Sequence, residues 1–114
     1  MDQMSPNNFD LELQGLHARS VGRLLATEVF DKDAFDALRS HLCEKAELLK
    51  SEHVVSKQIL DCLLSAVQVI QSRAEYLPEA RDHVAMADEF FMLLGQIVIG
   101  EGCNDRRPGV PRVR

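Results

Sequence analysis

The fold is indicated most clearly by residues 31–50, which read DKDAFDALRSHLCEKAELLK. Apolar side chains recur there every three or four residues, the spacing that places them on one face of an α-helix. Asp33 is the predicted N-cap, and Asp36 puts a negative charge in the first turn, where the helix dipole favours it. One face of this helix is therefore expected to pack and the other to contact water. The packing face consists of Phe35, Leu38, Leu42, Ala46 and Leu49.

Three other segments repeat this helical periodicity. They cover about residues 9–30, where 16–29 is the stronger half, then 52–76 and 78–99. The last two have broad apolar faces, which suits helices that contact more than one neighbour. No segment shows the alternation of a β-hairpin. The sequence predicts an all-α fold, an antiparallel bundle of three to four helices with an extended C-terminal tail.

Signals at the ends of these segments differ in strength. Pro78 suits the first turn of a helix, and the glycines of the GEG sequence at 100–102 suit a helix C-terminus. Ser51 is the only cap candidate between the second and third segments, which leaves open whether they are continuous. The predicted domain covers residues 1–105, with 1–8 loose, and the tail covers 106–114.

Charge is distributed unevenly along the 114 residues. All 18 acidic residues precede Arg106, together with nine of the 13 lysines and arginines, so residues 1–105 carry a net −9. The tail carries +4 from its four arginines. A strongly acidic body without a basic stripe argues against binding to a phosphate backbone, so no nucleic-acid partner is predicted.

The three cysteines, Cys43, Cys62 and Cys103, form no CxxC motif or other close pair. Cys43 and Cys62 fall within apolar-periodic segments and are interpreted as buried small hydrophobic residues. The N-terminal sequence lacks the basic and apolar regions of a signal peptide, and no stretch approaches the length of a membrane span. These features predict a cytoplasmic protein without a membrane partner.

Two pairs of residues have the spacing of metal ligands on one helix face. His41 and Glu44 are three residues apart, and Glu79 and His83 are four apart. A dimetal bundle site needs further carboxylates on the inward faces of other helices, and the apolar stripes contain none. We therefore predict that the protein binds no metal and no cofactor. If one of its histidines were a metal ligand, His17 would be the first candidate.

Two other pairs combine a nucleophile with a base. They are Ser51 with His53 and Cys43 with His41, but neither has a glycine-rich elbow or a group to orient the histidine. Neighbours two residues apart on a helix also face different directions. The sequence contains no GxGxxG motif or Walker loop, so no catalytic residue is assigned and no enzyme is predicted.

The last helical segment has more apolar surface than one packing face requires. Its main stripe is taken as the core side, and the residues flanking that stripe are taken as a surface for two-fold self-association. The flanking residues are Met86, Phe90, Leu93 and Ile97. The main stripe is Ala80, Val84, Ala87, Phe91, Leu94 and Val98.

The chain ends in RRPGVPRVR at 106–114. Its two prolines favour an extended segment, which we expect to dock on the acidic helical surface through Arg107, Val110, Arg112 and Val113. The segment resembles the R-x-P-G-V-P-R ending of small uncharacterised all-helical proteobacterial proteins. That resemblance implies a bacterial, cytoplasmic helical domain without an established activity, and it carries over no functional residue.

Together these features predict a non-catalytic, self-associating helical module that binds another protein, in the form of a homodimer. One alternative is an immunity, antitoxin or secretion-chaperone protein, because such proteins are often small, acidic and helical. The other is an enzyme or ligand carrier that uses the interior of the bundle, for which the sequence offers no inward-facing polar pair.

Overall fold

The computed structural model of the protein describes residues 5–103 and 105, and these residues contain helices and no β-strand. The predicted all-α fold is confirmed for this part of the chain. The elements are α1 (Leu11–His17), a π-helical turn (Ala18–Gly22), α2 (Arg23–Thr27), α3 (Lys32–Leu48), a 3₁₀ turn (Leu49–Ser51), α4 (Lys57–Ala74), α5 (Pro78–Asp82) and α6 (Ala85–Val98).

Short polar side chains cap three of these helices. The carboxylate of Asp10 accepts a hydrogen bond from the backbone N–H of Leu13 at the start of α1, over 3.0 Å. The Ser56 hydroxyl caps α4 in the same way. At α3 the cap is Asp31 and not Asp33, which lies inside the first turn. The two aspartates are equally able to cap a helix, so the predicted position was wrong by two residues.

The second and third predicted segments are separate helices. The chain leaves α3 through the 3₁₀ turn and runs extended before Ser56 begins α4. The Asn7 side chain bridges this loop, because its Oδ1 accepts from the Ser56 N–H over 2.7 Å and its Nδ2 donates to the Val54 carbonyl over 2.9 Å. Asn7 belongs to residues 1–8, which we expected to be loose, and it holds the connection between α3 and α4; residues 1–4 lie outside the described residues.

The predicted helix over 78–99 is interrupted. Pro78 occupies the first turn of α5, as predicted, but α5 ends at Asp82 and α6 starts at Ala85. Gly100 follows α6 with a φ of +81°, a left-handed conformation that glycine adopts without a steric cost, so the predicted end of this helix is confirmed.

The core lies between the longer helices. α4 packs mainly against α5 and α6, and α3 packs against α1 and α6. Three phenylalanines meet in it. The Phe30 and Phe35 rings stack with centroids 4.8 Å apart, and Phe35 meets Phe90 edge to face at 6.4 Å. Since α6 reaches the centre of the molecule, its orientation decides which apolar side chains remain at the surface.

Candidate interaction surface on the last helix

One face of α6 forms part of the core. Met86, Phe90, Leu93 and Ile97, the residues predicted to mediate self-association, are all buried within the single chain. They contact the other core residues and cannot also form a surface for a second molecule. This assignment is therefore corrected. The physical reason is the interruption at His83. The prediction assumed one continuous helix from residue 80, but the break rotates α6 relative to α5, so a different set of its side chains faces the core.

The opposite face of α6 is apolar and exposed. Phe91 is 62% exposed and Val98 is 67% exposed, and they lie seven residues apart on the same side of the helix. Met92 and Ile99 repeat this spacing one residue further on, each about half exposed. Four large apolar side chains thus form a strip along α6, which we call the outer strip. Contiguous apolar surface of this kind is typical of an interaction site.

Gly95 lies in the middle of the outer strip. It is in the interior of α6, where a glycine costs about 1 kcal/mol relative to alanine. A Cβ atom added there would meet no other atom within 4 Å, so packing inside the chain does not require a glycine. With Phe91 and Met92 on one side and Val98 and Ile99 on the other, Gly95 forms a notch in the outer strip.

A small cleft of about 240 Å³ borders the outer strip between α3 and α6. Gln96 lies on its wall and is almost fully buried, and its amide nitrogen has no hydrogen-bond partner in the described part of the chain. The Arg39 Nε lies 3.4 Å from a Glu89 carboxylate oxygen. This distance allows an ion pair, but the Nε forms no hydrogen bond with the described residues. The cleft thus contains a buried polar group that contributes a desolvation cost without a matching bond.

A disulfide joins Cys43 on α3 to Cys103, beyond the end of α6, with Cα atoms 5.4 Å apart. The interpretation of Cys43 as a buried small hydrophobic residue was therefore wrong, because its sulfur is bonded to Cys103 and its side chain is only partly buried. Cys62 is free and buried, as predicted, and burial raises the pKa of its thiol to about 12. A thiol with such a pKa is almost entirely protonated near neutral pH and is a poor nucleophile.

His41, considered above as a metal ligand and as a base, forms a hydrogen bond with Asp10. Its Nε2 lies 2.7 Å from an Asp10 carboxylate oxygen, and the Lys45 ammonium lies 3.0 Å from the same oxygen. Burial acts to raise the pKa of Asp10, but hydrogen bonds from His41, the Leu13 N–H and Lys45 outweigh it and hold that pKa well below its ordinary value. These three side chains tie α1 to α3, and Cys43, the suggested nucleophile, is bonded elsewhere.

The other histidines also have defined positions. The His83 Nδ1 donates to the Glu79 backbone carbonyl over 2.9 Å, and the ring stacks on Phe30. The His17 Nε2 lies 2.9 Å from the Ser65 hydroxyl, which donates its own proton to the Asp61 carbonyl. Among the described residues, no group of three or more His, Cys, Asp or Glu side chains is placed to hold a metal ion.

Two predicted sites remain, the Ser51 and His53 pair and the tail residues. Ser51 ends the 3₁₀ turn and His53 is exposed in the loop that follows, and both line an open cleft of about 390 Å³ beside the end of α6. Arg107, Val110, Arg112 and Val113 lie outside the described residues.

Comparisons of the chain with protein-family models, with curated proteins and with solved structures find no match. None of the helices in the described residues is long and apolar enough to cross a lipid bilayer. The outer strip must therefore be interpreted from its own chemistry.

Proposed function

We propose that the protein is a non-catalytic interaction module that self-associates as a homodimer through the outer strip of α6. The observation that carries this proposal is the combination of four exposed apolar side chains with an open glycine at their centre. Exposed apolar residues alone occur on most proteins. A glycine within an exposed apolar strip additionally allows the backbone of a second helix to approach closely.

A second copy is the occupant that suits the shape of the strip. At a rise of 1.5 Å per residue, Phe91 lies about 6 Å before Gly95 and Val98 about 4.5 Å after it. Two such helices related by a two-fold axis near Gly95 place the Phe91 of each copy beside the Val98 of the other. The same patch then serves both molecules, as a two-fold dimer requires.

The non-catalytic part of the proposal is supported by how the reactive side chains are engaged. His41 is paired with Asp10, and the Ser65 hydroxyl proton is directed to a backbone carbonyl. Cys43 is in a disulfide, and the Cys62 thiol has a raised pKa. None of these groups combines a free nucleophile with an available base, which nucleophilic catalysis needs.

Sedimentation equilibrium at micromolar concentrations tests the proposal. We expect a dimer for the native sequence and a shift toward monomer for Phe91→Asp and Val98→Asp, because each places a charge in the apolar contact. Leu25→Asp is the matched control, since Leu25 is 53% exposed on α2, away from α6. A native chain that sediments as a monomer across this range contradicts the proposal and favours another protein as the partner of the outer strip.

A further inference from the structure

A groove of about 400 Å³ lies between the start of α1 and the C-terminal half of α3. Three large apolar side chains form its walls, Phe9, Leu11 and Leu48, and each is more than half exposed. Nothing in the described part of the chain covers them. The groove therefore presents apolar surface that a further segment would bury with a gain in free energy.

The rim of this groove is acidic. Glu12 and Glu44 are exposed there, and Glu44 has no basic partner among the described residues. The one lysine in the groove, Lys45, is already neutralised by Asp10 at 3.0 Å and also donates to the Pro6 carbonyl. An occupant that carries both apolar and basic side chains would therefore match the groove.

Two contacts attach the described residues just before residues 106–114 to α3. The disulfide holds Cys103 against Cys43, and the Asp105 carboxylate lies 3.0 Å from the Lys50 ammonium. The same ammonium pairs with Glu47, again over 3.0 Å. Asp105, the last described residue, therefore lies beside the end of α3, and it shares the Lys50 ammonium with Glu47.

We propose that residues 106–114 cross the exposed side of α3 and dock in this groove of their own chain. Each residue of a helix is rotated by about 100° around the axis from the one before it. Glu47, Glu44 and Leu48 therefore lie in that order on an arc of about 100° on one side of α3. Passing half-way around a helix of 10–12 Å diameter takes about 16–19 Å, and nine residues in extended form span about 28 Å. The segment is therefore long enough to reach Leu48 and Glu12.

The chemistry of the segment matches this route. It carries four arginines, two valines and no acidic residue, opposite a body with a net charge of −9. Its order places Arg107 near Glu47 and Arg112 near Glu44 and Glu12. Exposed ion pairs contribute only about 0–1 kcal/mol each, so Val110 and Val113 against the apolar walls supply most of the affinity. This proposal is independent of the α6 dimer.

Zero-length cross-linking of the full chain tests both the docking and its direction. Arg107→Lys and Arg112→Lys each introduce one amine that a carbodiimide can join to a neighbouring carboxylate, and peptide mapping identifies the partner. We expect R107K to join mainly to Glu47 and R112K mainly to Glu44 and Glu12. The yield should exceed that at Glu79 on α5 by at least about tenfold, since docking raises the local concentration of the amine at Glu44 and Glu12 but not at Glu79.

Two controls make the result decisive. Adding E12Q and E44Q to R112K should abolish its main products, whereas adding E79Q should leave them unchanged. Mixing isotopically light and heavy protein shows whether the joined residues belong to one chain. Equal yields at Glu79, Glu44 and Glu12 would overturn the proposal. Mixed light–heavy products would also overturn it, because they would place the segment on a second copy.

Discussion

Gly95 offers the sharpest test of the outer strip, because replacing it should change folding and association in opposite directions. In Gly95→Ala the new methyl group meets no atom within 4 Å inside the chain. The helix gains the difference in propensity between the two residues, so the free energy of unfolding of the monomer should rise by about 0.5–1 kcal/mol. For a domain of this size, that gain raises the melting temperature by several degrees.

The same notch is where a second α6 would approach most closely. Gly95→Leu fills it with a branched side chain and should separate the two helices, which removes part of the contact between Phe91 and Val98. We expect the dimer dissociation constant to increase at least about tenfold, which corresponds to about 1.4 kcal/mol. Gly95→Ala should weaken the dimer less, in proportion to its smaller volume.

Both quantities need to be measured separately. Urea denaturation followed by circular dichroism, at concentrations well below the dimer dissociation constant, reports the stability of the monomer. Sedimentation equilibrium at higher concentrations reports association. A loss of monomer stability in Gly95→Ala would show that position 95 does not face open space. Unchanged association in Gly95→Leu would refute the assignment of this strip to the dimer.

Three further predictions concern the interior of the chain. Asp10→Asn should lower the unfolding free energy at pH 7 by about 1–3 kcal/mol, because His41 and Lys45 lose their charged acceptor. Since the pKa of Asp10 is lower in the folded state than its ordinary value of 3.8, its contribution is complete well above pH 4 and declines as the pH falls below it, so the two proteins should converge in acid-titration melts. Gln96→Leu removes a buried donor that has no partner and should raise stability by about 1 kcal/mol in urea denaturation; a loss would indicate a water bound to the amide. Reducing the Cys43–Cys103 disulfide, whose cysteines are 60 residues apart, should lower stability by about 2–4 kcal/mol, and native alkylation before reduction should find no reactive thiol.

The helical fold and several helix ends could be predicted from local sequence. The stripe from Phe35 to Leu49 predicts α3 because only a helix places those side chains on one face. Pro78 and Gly100 mark helix ends through their own backbone preferences, which hold in any fold. Asp31 and Asp33 differ only in position, and local chemistry does not choose between two equally good caps.

The side of α6 that faces the core is decided only by tertiary structure. Phe90 and Phe91 are the same residue type on neighbouring faces of one helix, yet the first is buried and the second is 62% exposed. The choice follows from the break at His83, which stacks on Phe30, and from how α6 meets α4 and α3. The Cys43–Cys103 disulfide likewise joins positions 60 residues apart, and only packing brings them together. Local patterns therefore determined which segments are helices, whereas contacts between distant segments determined which surface remained available for binding.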